Sequence, residues 1–200
     1  MKTLQKALLA ALLTGLAVVS TPTAVAQEGD GRWFVTLQYG EVDYDVTLES
    51  NANWWGNVDD TTNTYAVGVG YDFVSPFGVR LMYERAHRVH IANQCPPGLI
   101  CPAVAFTESS DTDTLSLVAI PRWKFAPGWE LYGTAGLIGW RISPDGAIGR
   151  DSGIDAIAGV GVGYEFPIGL ALALEYQETV FGPHLDYDAL RLSISFGFGS

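Results

Sequence analysis

From Leu170 to Gln177, and again from Leu190 to Phe198, every second residue is large and apolar, and the residues between are small or polar. Successive side chains of a β-strand point to opposite faces, so each stretch has one apolar face and one small, polar face. The polar face carries mid-strand charges, Glu175 and Arg191, among Gly and Ala. That pairing of faces suits a barrel with its apolar atoms outside and a filled polar interior.

The same alternation marks eight strands: Arg32–Val46, Thr64–Val74, Gly78–Ile91, Thr112–Phe125, Trp129–Ile142, Ile154–Phe166, Leu170–Thr179 and Asp188–Phe198. The connections alternate in length. Ser75-Pro76-Phe77, Ala126-Pro127-Gly128 and Pro167-Ile168-Gly169 are short Pro/Gly turns, whereas 47–63, 92–111, 143–153 and 180–187 are long. Short turns at one end and long loops at the other predict an all-β, antiparallel, up-and-down transmembrane β-barrel with both termini on the short-turn side.

On most strands the outward face is unambiguous, as in Trp33, Val35 and Leu37. On the fifth strand the large residues Tyr132, Ile138 and Trp140 are expected outside, with Gly133 and Ala135 inside. Aromatic residues fall in two groups toward the strand ends, the girdles expected at the two interfaces; Tyr65, Trp140, Tyr176, Phe181 and Tyr187 form the long-loop group. Pro121 donates no ladder hydrogen bond and predicts a bulge in the fourth strand. A soluble eight-stranded carrier barrel of lipocalin type is the competing architecture. Glycine on the polar face, mid-strand charges and the two girdles favour the membrane form.

Residues 1–26 read as a signal peptide: Lys2 and Lys6, an apolar run from Leu8 to Val19, and Ala24-Val25-Ala26 before Gln27. Residues 27–200 then form one barrel domain, delivered to the outer membrane from its inner side. Without Lys2 and Lys6 there are 9 basic and 22 acidic residues, a net charge of −13. Such a chain repels nucleic acid. Cys95 and Cys101 enclose five residues in an exported chain and are expected to form a disulfide; two thiols alone are thin support for a metal.

The segments Glu130–Arg141 and Gly159–Phe166, with Tyr-Gly-x-Ala-Gly, Gly-Val-Gly-Tyr-Glu-Phe and Leu-Ala-Leu-Glu-Tyr, resemble the outer-membrane β-barrel superfamily, in particular the OmpA-type eight-stranded domain and its single-domain relatives. The resemblance implies a monomer inserted by the barrel assembly machinery, in contact with outer-membrane lipid and lipopolysaccharide. Members brace membranes, adhere to surfaces or pass small solutes, so it does not fix a role. No peptidoglycan-binding domain follows the last strand, so a cell-wall tether of that kind is not expected. Gly199-Ser200 follow Phe198 where the family usually ends on an aromatic residue.

Two sets of charges are expected inside: Glu84, Glu175 and Arg191 at one depth, and Asp72, Arg80, Arg122, Lys124 and Glu165 nearer the short turns. Buried charges are paired as a rule, so the set is either a static network or a gate for a narrow water path. Ser193 and Ser195 point inward, away from His87, His90 and His184, so a hydrolytic Ser-His pair does not form and no enzyme or cofactor is expected. The acidic loop residues show no cation-loop spacing. Trp54 and Trp55 in the first long loop are contact candidates for a partner or the lipopolysaccharide surface. The expected role is therefore structural or surface interaction through the long loops, with a small channel second and a lipid-modifying enzyme third.

Overall fold

The computed structural model describes residues 31–49, 55–73, 76–94, 107–144, 151–181 and 185–198. Eight strands run in chain order: β1 (Arg32–Glu49), β2 (Trp55–Asp72), β3 (Phe77–Gln94), β4 (Thr107–Ala126), β5 (Trp129–Pro144), β6 (Asp151–Glu165), β7 (Leu170–Phe181) and β8 (Leu185–Phe198). Each pairs antiparallel with its neighbours, and β8 closes on β1. All eight expected strands are present, and each is longer than expected at the long-loop end. β1 and β2 stay in register to Glu49↔Trp55, through Asp59 and Asp60. The ladder carries Glu49, Asp59 and Asp60 as strand, where the sequence placed them in the loop 47–63.

At the other end the turns are tight. Pro127 fixes φ and Gly128 supplies φ 77°, a type II geometry, between the paired Ala126 and Trp129. Gly169, with φ 79°, closes the β6–β7 turn, and its carbonyl accepts a hydrogen bond from the Gly197 amide of β8 at 2.9 Å.

Partner to partner around the barrel, Trp33 leads through Tyr71, Val79, Ala119, Ala135, Ala158, Glu178 and Asp188 back to β1 at Asp43, ten residues above its start. This stagger tilts the strands by about 40°. Each residue along a strand then adds roughly 2.5 Å of height, and each step sideways toward β8 roughly 3 Å. Glu178 and Asp188 therefore stand well above Ala119 although they share its row. The outward apolar stretch of β8, Leu190 to Phe198, spans roughly 20 Å of height, near the ~25 Å band of such barrels. The rim is uneven: β2 and β3 pair up to Trp55↔Gln94, whereas β7 and β8 part after Glu178↔Asp188.

Outward positions are exposed and apolar, including Trp33, Leu37, Leu117, Leu174 and Leu192. Tyr39 and Tyr65 pack at 5.0 Å between ring centres on the long-loop side, and Trp33 and Tyr71 at 5.0 Å on the short-turn side. Inside, buried apolar residues share the space with buried charges; Val42, Tyr44, Ile142 and Tyr187 are almost inaccessible. Glycine admits the rings: a Cβ on Gly70 or Gly161 would collide with Phe34 or Tyr132.

β5 corrects the sequence reading. Tyr132, Ile138 and Trp140 point inward and are buried, while Ala135 and Leu137 face out. Size misled here, because the interior accepts large rings wherever a neighbouring strand offers glycine. Tyr187 also turns inward, so neither it nor Trp140 belongs to the girdle. The bulge expected at Pro121 falls between Lys124 and Ala126, and Arg122 to Tyr132 continues the register of Ala119 to Ala135.

Candidate functional site

Alternation brings Arg80 (β3), Glu84 (β3), Glu175 (β7) and Arg191 (β8) into the middle of the barrel, all buried. Glu175 and Arg191 are cross-strand partners in register, yet each binds across the lumen instead. Arg80 grips Glu175 with both terminal nitrogens, at 2.9 and 2.6 Å. The Tyr132 hydroxyl donates to the same carboxylate at 3.0 Å and Gln38 at 3.4 Å. Arg191 pairs with Glu84, which also accepts from Tyr44 at 2.9 Å and Thr64 at 3.3 Å. A second nitrogen of Arg191 donates to Gln177 at 2.8 Å. Two buried cations thus meet two buried anions, and both carboxylates and Arg191 take further hydrogen bonds, which offset part of the cost of burying the charges; the Nε of Arg80 and of Arg191 is left without a partner.

Arg80 therefore belongs to the mid-barrel group and not to the set nearer the short turns. That lower set holds Asp72, Arg122, Lys124 and Glu165 together and adds two residues the sequence reading missed. Arg122 binds Glu130 at 2.5 Å and Asp72 at 3.2 Å; Arg32 binds Glu165 at 2.5 Å and Asp72 at 3.5 Å; Lys124 reaches Glu165 at 3.3 Å. Tyr44, Gln177 and Tyr187 were also missed as members of the upper network. Their parity with Gln38, Glu175 and Arg191 was a usable signal, whereas Tyr132 was hidden by its misassigned face. Higher in the interior, the Trp140 indole donates to Asp155 Oδ2 at 2.7 Å, leaving Oδ1 without a partner.

Just above the apolar belt the outer face is a collar of charge. Arg85 binds Asp111 at 2.7 Å and lies 3.8 Å from Asp113, which accepts from the Tyr83 hydroxyl at 2.6 Å. The Asp111 hydrogen bond, then the Asp111 and Asp113 charges, hold the Arg85 pKa above its ordinary value. Over β7 and β8, Tyr176 donates to Glu178 at 3.1 Å and to Asp188 at 2.8 Å.

Cys95, Cys101, Trp54 and His184 lie outside the described residues, and Trp55, His87 and His90 enter only through their strand backbones. Ser193 donates to the Ala173 carbonyl at 3.4 Å and Ser195 shares a 2.7 Å hydrogen bond with Thr36, so both hydroxyls are engaged by the barrel wall. Among the described residues, no three His, Cys, Asp or Glu side chains form a metal-binding group.

What this arrangement does is fill and brace a cylinder whose outside is lipid-compatible. Known structures share the shape. Neisserial surface protein A aligns at TM-score 0.61 and 14% identity, over 83% of this chain and 97% of that one. OprG of Pseudomonas aeruginosa aligns at 0.58 and 11%, over 86% and 97%. Ail of Yersinia pestis, solved with the heparin analogue sucrose octasulfate, aligns at 0.51 and 14%, over 85% and 100%. At such identities the likeness speaks for the fold. No curated protein matches the sequence. The outer membrane protein beta-barrel domain matches over residues 10–198, and the chain belongs to that family of outer-membrane barrels.

Proposed function

We propose that this protein is a closed outer-membrane platform whose long-loop end makes surface contacts, and that it is not an open pore. The observation that carries this is the blocked interior: the Arg80–Glu175 and Arg191–Glu84 pairs cross the lumen beside the buried rings of Tyr44, Tyr132 and Tyr187. A water path would need these pairs parted, at several kcal/mol for each uncompensated ion. Export through the signal peptide at residues 1–26 and clipping of a loop by Cys95–Cys101 are parts of the same reading, with Trp54 and Trp55 as contact residues. The collar charge argues for neutral or cationic partners. Ail was solved with a polyanion analogue, but a chain of net charge −11 presents a repulsive surface to such a ligand.

The test is paired. Purified, heat-modifiable barrel is recorded in planar bilayers, and cells with the 50–54 or 95–106 segment shortened are compared in a surface-binding screen. Silent bilayers together with binding lost on shortening support the reading; steady conductance from the parent protein refutes it.

One observation favours a gated channel as the second reading. Glu175 stands in register with Arg191 while bound to Arg80, so an exchange of partners is sterically near. Under that reading Arg191→Ala alters single-channel conductance. The membrane-enzyme reading draws no support from the engaged Ser193 and Ser195; lipid A and phospholipids unchanged on overexpression would close it.

A further inference from the structure

The charges inside the barrel fall into three layers, and two of them balance. At the short-turn mouth Arg32, Arg122 and Lys124 meet Asp72, Glu130 and Glu165, three against three. At mid-barrel Arg80 and Arg191 meet Glu175 and Glu84, two against two. The third layer, toward the long loops, holds Asp155 as its one charge among the described side chains. This residue is 3% exposed; its single donor is the neutral Trp140 indole on Oδ2, and Oδ1 has no partner. A carboxylate so placed is a buried charge without a counterion, which proteins seldom tolerate.

Local packing holds the group in this state. Gly153 is the cross-strand partner of Trp140, and a Cβ there would come within 2.7 Å of ring atom Cζ2 and 3.0 Å of Nε1. Glycine thus lets the indole lie against β6, where its N–H engages Oδ2 and leaves Oδ1 open. On the other side of Trp140, β4 supplies a second orphan. The Thr112 hydroxyl is 1% exposed and also has no hydrogen-bond partner. Thr112 pairs with Ile142 and Asp155 with Ile138. The two therefore sit two strands apart on the inner wall and within about 4 Å of each other in height.

Two buried oxygens, one of them anionic, share a layer that lacks a positive charge. Among the described residues no three His, Cys, Asp or Glu form a group, so the charge count of a Ca²⁺ site and the nitrogen and sulfur donors of a transition-metal site are missing. One carboxylate with neutral oxygen ligands matches a single positive charge. The layer also has an approach. Ala156↔Phe181 is the last β6–β7 pair, so Asp155 is the first β6 residue above that ladder, beside the low part of the rim. The outward positions nearby are Glu178, Asp186 and Asp188, an acidic approach that concentrates cations.

We infer that the upper lumen is a binding site for one monovalent alkali cation, Na⁺ or K⁺. Asp155 Oδ1 is its anionic ligand, and Thr112 Oγ1 is a further oxygen donor, directly or through a water. The ion neutralises the third layer as the arginines neutralise the other two. The site is independent of the surface-contact reading and stands whether or not the long loops bind a partner.

The full barrel in zwitterionic liposomes is unfolded with urea in NaCl, KCl or N-methylglucamine chloride at equal ionic strength. Binding is read separately as sodium-23 line broadening and its reversal by KCl. The urea midpoint should be higher in NaCl or KCl than in the organic salt and should climb with ion concentration, as mass action requires. Asp155→Asn, which keeps an acceptor for the indole, should abolish both the climb and the broadening. Thr112→Val should need about tenfold more ion, the scale of one lost neutral ligand. Asp188→Asn, on the outer arc, should leave the climb in place, and all variants should keep heat-modifiable migration. The inference is overturned if the parent midpoint is the same in all three salts, or if the ion effect survives in Asp155→Asn, which would move the ion to the outer arc. Stabilisation by Mg²⁺ or Ca²⁺ but not by alkali ions would overturn it as well. So would an infrared band of a protonated carboxyl that disappears in Asp155→Asn, because a proton would then neutralise the layer.

Discussion

Replacing Arg80 by Met strips Glu175 of two charge-assisted hydrogen bonds, at 2.9 and 2.6 Å, and leaves a buried carboxylate hydrogen-bonded only to Tyr132 and Gln38, with Arg191 of β8 bound to Glu84 instead. Breaking a buried pair from one side costs about 3–5 kcal/mol, most of it the stranded charge. Glu175→Met should cost a similar amount by stranding Arg80. The double variant removes both charges and substitutes side chains of comparable length, so it should recover to within about 1 kcal/mol of the parent. The coupling between the two sites is then at least about 2 kcal/mol. Urea unfolding of liposome-inserted protein, followed by tryptophan fluorescence and checked by heat-modifiable migration, measures all three. Additive losses in the double variant would refute the crossbar. A cost below about 1 kcal/mol for Arg80→Met, with new conductance, would mean that Glu175 had recruited Arg191, and the gated reading would replace the closed one.

Two glycines of one strand should behave oppositely. Gly136→Ala drives a methyl into the Leu117 carbonyl and should cost about 1–3 kcal/mol, whereas Gly139→Ala, with open space around it, should stay within about 0.5 kcal/mol; equal effects on the urea midpoint would contradict the assigned faces of β5. Trp140→Phe removes the donor to Asp155 Oδ2, leaving the carboxylate without its indole, and should cost about 1–3 kcal/mol; adding Asp155→Leu should restore much of it, and no restoration would disprove the pairing. Cys95 and Cys101 should react with maleimide in the intact protein only after reduction; labelling beforehand would exclude the disulfide.

How much was legible in the chain differs from strand to strand. β7 and β8 announce themselves because alternate positions differ in both size and polarity, so Leu172, Leu174, Leu192 and Ile194 leave no choice of face. β5 does not, because its inward face also carries large residues and its outward face carries glycine and alanine. Parity counted from the Pro127-Gly128 turn, with Trp129 outside, assigns Tyr132 and Trp140 to the interior where size does not. Arg80, Glu84, Glu175 and Arg191 were readable as interior from parity alone, whereas Lys124, on the same parity of β4, is exposed at the short-turn mouth. Their partners were not: pairing across a lumen depends on stagger, and a chain of local patterns does not show that Arg80 meets Glu175 before Arg191 does. Arg32 and Glu130 were missed for a related reason, since a charge at a strand end reads as solvent-facing until the closed mouth supplies its counterion.

The uneven rim sets an order of encounter. From Tyr39, where the aromatic belt ends on β1, ten further residues to Glu49 remain zipped to β2, lifting that ribbon roughly 25 Å above the belt. β7 and β8 separate close to the membrane. The molecule thus stands in the leaflet like a chimney cut on the slant, its tall side stiffened by a continuous ladder. Anything approaching from the long-loop side meets backbone already paired in a ladder, so binding there need not first order a free segment.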